Sequence, residues 1–243
     1  MSILNTAELS VFDSAEGLDS YTPLLFNSYR DIHKGIRAEL FDVTATAGRL
    51  DPAHSVSWMA LVDHLTDVQQ TLAAHAANED AHVEPMVVQF DTQLAESIER
   101  DHHHLEGRYT AIHELASAAA SYPASDQAPI ADLVYLELSG FTSEYLRHQL
   151  VEERVVMPAL IREFGMEEVV KMHVALVSSI PPEELAKSLA FMLPAMNVED
   201  RVELVGNIRE TAPAPAFEGV MGLARSVLEP VDFTAMAQRL GIA

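Results

Sequence analysis

Residues 98–108 read 98-IERDHHHLEGR-108, three consecutive histidines inside an amphipathic pattern. Which of the three points inward decides how the surrounding helix sits. Successive residues of an α-helix advance by about 100°, so His102, His103 and His104 cannot share a face. The apolar residues around them recur as Leu94, Ile98, Leu105, Tyr109 and Ile112, and only His102 continues that stripe. His103 and His104 turn away, toward solvent or the edge of a neighbouring helix.

The same periodic reading, carried outward, finds a histidine on three more buried stripes. One runs Phe26, Tyr29, His33, Ile36, Leu40, Val43. A second runs Leu61, Leu65, Val68, Leu72, His75, Glu79, His82, Met86, and a third Val134, Leu138, Phe141, Tyr145, His148, Glu152, Val155. These stripes predict long helices over about 23–46, 55–88, 91–119 and 130–164, with kinks at Pro85 and Pro158. Alternating β-branched runs are missing, which makes the chain all-α. The acidic residues 1–22 read as a loose arm or a short leading helix, 23–164 as the main helical domain, and 165–243 as a C-terminal extension of shorter helices. Ser179 and Asn197 stand where that extension needs helix N-caps. Its one histidine, His173, reads as structural.

The composition narrows the partners. The chain has 243 residues, no cysteine, 15 Lys plus Arg against 37 Asp plus Glu, and a formal net charge of −22. Such a charge repels a nucleic-acid backbone and an anionic lipid surface alike. No stretch approaches the roughly 20 apolar residues of a membrane span, and no secretory leader is visible, so the expected location is the cytoplasm.

A single buried histidine is usually a hydrogen-bonded core residue. Four in succession, joined by Glu79, Glu106 and Glu152 each four residues after a histidine, are a different matter. Side chains at i and i+4 converge on one volume, and an unpaired buried carboxylate costs several kcal/mol unless a cation neutralises it. His33, His75, Glu79, His102, Glu106, His148 and Glu152 supply too many donors for one tetrahedral zinc. Imidazole and carboxylate without thiolate suit iron or manganese, and two carboxylate-bridged ions fit the count.

These motifs, His33, then HAANED at 75–80, DHHHLE at 101–106 and HQLVEE at 148–153, resemble the hemerythrin-like (HHE cation-binding) family over about residues 25–163. The resemblance implies an up-down-up-down four-helix bundle around two non-haem iron ions joined by an oxo or hydroxo bridge. Glu79 and Glu152 would bridge them, with His33 and His75 on one iron and His102 and His148 on the other. Oxygen-carrying members have a second histidine where this chain has Glu106. As a ligand, Glu106 adds negative charge and favours the ferric state; as a neighbour only, it leaves an iron more open. Either way the expectation moves from oxygen transport to binding and reaction with dioxygen or peroxide, in sensing or in catalase- or peroxidase-like decomposition. Tyr109 and Tyr145, one turn from the ligands, either meet such a ligand or simply pack, and His82 is a further candidate donor. The alternatives are an iron-sensing or iron-holding module without turnover, and a metal-free helical interaction protein. A homo-oligomer would form through the C-terminal helices.

Overall fold

The computed structural model describes residue 24 and residues 26–242, and among them it contains no strand. The arm expected at 1–22 lies outside the described residues. The helices are α1 (Arg30–Gly48), α2 (Ser55–His82), α3 (Glu84–Phe90), α4 (Thr92–Ala118), α5 (Ala124–Val151), α6 (Met157–Phe164), α7 (Met166–Ser179), α8 (Pro182–Ala195), α9 (Val198–Thr211), α10 (Ala214–Val227) and α11 (Pro230–Arg239). The expected all-α, hemerythrin-like helical bundle is the architecture found, and each boundary shift has a local cause.

Helix α1 starts at Arg30 rather than near Pro23, because Asn27 Oδ1 accepts the Tyr29 N–H at 3.0 Å and holds the chain in a side-chain turn. Helix α5 starts at Ala124, six residues before its stripe. Ser125 and Asp126, which look like loop residues, occupy its first turn, where polar and acidic side chains are favoured. The two proline kinks appear as local breaks. Val83 separates α2 from α3, with Pro85 in the first turn of α3. Between α5 and α6 the helix widens into a π turn, Glu152–Val156, just before Pro158. Proline lacks an N–H and crowds the carbonyl of the preceding turn, and a wider turn relieves both.

Two compact units arise from contacts within the chain. The first comprises residues 40–176 and the described residues up to Tyr29. In it, α4 and α5 pack side by side, as do α2 and α4. The short connection over Ala119–Pro123 makes α4 and α5 antiparallel neighbours. The end of α1 joins through a Thr44–Thr142 hydroxyl pair at 2.9 Å. One end of this unit is closed by an apolar cluster of Tyr29, Val83, Val87, Ala95, Val156, Met157, Leu160, Val169 and Met172. His173 lies edge-on to Phe26, with ring centroids 5.3 Å apart.

The second unit comprises residues 30–39 and 177–243 and has its own core, including Leu189, Leu193, Val205, Leu228, Met236 and Leu240. The first turns of α1 join it through ion pairs of Lys34 and Arg30 with Asp200 and of Arg30 with Glu203. Gly35 lies so close to the Phe191 ring that an added Cβ would stand 2.6 Å from it. Asn197 caps α9 as expected, accepting the Asp200 N–H at 3.0 Å. Ser179 instead ends α7, and Pro181 precedes α8.

Candidate metal centre

The breaks in the helices fall where the chemistry is. Glu79 lies one turn before the interruption at Val83, His148 in the last turn of α5, and Glu152 opens the π turn. His33, His75, Glu79, His148 and Glu152 are buried, His33 completely and Glu152 to all but 1%. The His102 side chain is 10% exposed.

Among the described residues, two groups of donors converge, each with ligand atoms all within 4.8 Å of one another. One is Glu79, His102, His148 and Glu152; the other is His33, His75, Glu79 and Glu152. Glu79 and Glu152 belong to both. His148 Nε2 lies 2.9 Å from Glu152 Oε1, and His75 Nε2 lies 3.3 Å from Glu79 Oε1. His102 Nε2 lies 3.3 Å from Glu79 Oε2 and 3.7 Å from Glu152 Oε1. The His102 and His148 rings meet edge to face at 4.8 Å.

Close as they are, several of these atoms approach as ion pairs without hydrogen-bond geometry. Neither Glu79 oxygen makes a hydrogen bond, nor does Nε2 of His102 or His148. Buried polar groups are almost always bonded, and an anion left so costs several kcal/mol. A cation placed among them would take up all these lone pairs at once, so the donor set fits a metal ion. Without one, burial pushes the Glu79 carboxyl well above the usual carboxylate range, and the Glu152 charge adds to it. Burial alone would lower the His102 pKa, but pairing with Glu152 and Glu79 outweighs it and pushes the ring up to about 11. Burial, then the charges of Glu79 and Glu152, holds the Tyr29 and Tyr145 hydroxyls protonated, well above the ordinary phenol range.

Glu106 stands apart from the other six expected donors. Its side chain is exposed and belongs to neither group. The buried residues Leu105, Tyr109 and Ile112 centre the α4 stripe about 50° to one side of His102. His102 therefore sits at the margin, and Glu106, about 40° further round on the other side, falls outside. His103 and His104 are exposed, and His82 is in neither group. Tyr109 donates its hydroxyl to the Leu65 carbonyl at 3.1 Å, which commits it to packing. Tyr145 stays next to the donors, its ring 5.8 Å from that of His148.

Two residues escaped the periodic reading. Tyr29 was on a stripe but carried no chemistry there. Gln149 is completely buried, one residue after His148 and three before Glu152, and neither its amide oxygen nor its nitrogen has a partner. Its position beside two donors was the only signal available.

The chain is 24% identical over 201 residues to a BRUTUS-like zinc finger protein of Arabidopsis thaliana, an alignment covering 80% of this chain and 15% of that protein. The chain thus corresponds to a small part of that relative's length. No solved structure matches the chain significantly. The profile of the hemerythrin HHE cation binding domain matches residues 25–160, a span that includes every member of both donor groups, and with more than half of its length so matched the chain belongs to that metal-binding family.

Proposed function

We propose that the bundle holds two non-haem iron ions, bridged by Glu79 and Glu152, and uses them to bind and react with dioxygen or peroxide. His33 and His75 serve one ion, and His102 and His148 the other. The observation that carries this reading is that two donor groups share the same two carboxylates, the arrangement a bridged pair needs. The bound pair would supply electrons to a small oxygen ligand. With Glu106 turned outward, the donors that would hold the pair are four imidazoles and two shared carboxylates.

The chain's own residues set the conditions around it. Phe141 and Tyr145 stack toward His148, with ring centroids 5.7 and 5.8 Å apart in turn, and exclude water on that side. The apolar cluster around Val83, Val156 and Met157 does the same on the other. Tyr145 places its ring beside His148 and carries a hydroxyl near the centre. Gln149 offers both a donor and an acceptor that have no partner among the described residues.

One observation favours a second reading, an iron-holding module in which occupancy controls the fold. The Glu79 carboxylate, buried and without a hydrogen bond, makes the metal-free bundle the costlier state. Protein purified aerobically without chelators should contain about two irons per chain and show a visible charge-transfer band. Reduced protein mixed with oxygen or peroxide should change that band within the mixing experiment. Two irons with no response would leave the holding module, and one iron or zinc alone would end the bridged-pair reading.

A further inference from the structure

We infer that Asp80 is a positioning residue for this centre: its carboxylate holds the His102 ring by Nδ1 so that Nε2 faces Glu79 and Glu152. The inference rests on the metal-centre reading just proposed and concerns a residue outside both donor groups.

His102 Nδ1 lies 3.0 Å from Asp80 Oδ1, while Nε2 on the far side of the ring points at the two carboxylates. A neutral imidazole carries one proton. An acceptor at Nδ1 keeps the proton there and leaves the Nε2 lone pair for a cation. Asp80 follows Glu79 directly, about 100° further round α2. One helix therefore sends a carboxylate into the centre and the next one across to the ring on α4.

Of the two rings facing this pair, His102 needs such a holder more. It sits at the margin of its stripe with 10% of its side chain exposed, whereas His148 is 3% exposed and its Nδ1 is 4.0 Å from Asp101. Packing encloses the His148 ring more completely than the His102 ring. Asp80 itself is 49% exposed, so as a plain surface ion pair it would contribute little to stability. A positioning role and a structural role thus predict different things: the first shows in metal retention, the second in the stability of the metal-free fold.

The experiment follows iron transfer from the loaded protein to a chelator, together with thermal unfolding of the apoprotein, for wild type, Asp80→Ala, Asp80→Asn and the exposed control Asp63→Ala. Asp80→Ala should lose about 10- to 100-fold in iron affinity, the usual effect of removing a ligand's hydrogen-bond partner, with an unchanged apoprotein unfolding temperature. Asp80→Asn keeps an acceptor oxygen without the charge and should recover part of the loss, while Asp63→Ala should match wild type. Wild-type retention by Asp80→Ala, no recovery by Asp80→Asn, or an apoprotein unfolding temperature that falls in parallel would overturn the assignment of Asp80 alone. A wild-type chain that takes up no iron would overturn the metal-centre reading and this inference with it.

Discussion

Both units bury charge, and they treat it in opposite ways. In the second unit Arg201 is buried, yet it donates to the carbonyls of Leu193 at 2.8 Å and Pro194 at 3.3 Å and lies 3.5 Å from Asp232. Asp200, beside it in sequence, is paired with Lys34 and Arg30. In the bundle Glu79 is as deeply buried, and neither of its oxygens makes a hydrogen bond. Burial by itself therefore does not mark a site. A charge whose partners come from the chain is a fastening, and a charge that only other donors surround implies a partner from outside.

The sharpest way to break this contrast is to remove a shared donor. Glu79→Ala should abolish binding of both irons, because both groups lose a member, whereas His102→Ala should strip only the group it belongs to. Iron analysis of the purified variants decides between them, and equal losses would mean that the two groups do not act as a bridged pair. The counterpart in the second unit is Arg201→Ala. It should destabilise the protein by about 1.5–3 kcal/mol through its lost charged hydrogen bonds, equally with and without iron, in denaturant titrations.

A smaller effect comes with pH. His102 has its metal-free pKa raised from 6.5 to about 11, so its imidazolium stabilises the folded apoprotein fully below 6.5 and that contribution is lost as pH rises through about 11. Metal must displace this proton throughout that window. Affinity should therefore rise about tenfold per pH unit for each proton released, with heat signals that depend on the buffer's ionisation enthalpy. Smaller again, Gln149→Leu should stabilise the apoprotein by about 1 kcal/mol by removing an amide that has no partner, measured by thermal unfolding in chelator. At the bottom of the scale, Glu106→His should leave iron content and the visible spectrum unchanged, since the residue at that place faces solvent.

The sequence by itself determined the helices and the choice of His102 over its two neighbours, because a helical period of about 3.6 residues converts a list of apolar positions into a direction. It likewise turned His33, His75, Glu79, His148 and Glu152 inward, and all five are buried. Where periodicity is read at the margin of a stripe it loses its power, since about 40° of rotation separates His102, which joins a donor group, from Glu106, which is exposed. Partnership was decided only by the tertiary structure. Whether Gln149 meets another polar group, whether Asp80 reaches the ring on the next helix, and whether the first turns of α1 serve the bundle's contacts or those of Asp200 depend on what neighbouring helices present. One helix's pattern fixes which way a side chain points, and only the packing of helices fixes what it finds there.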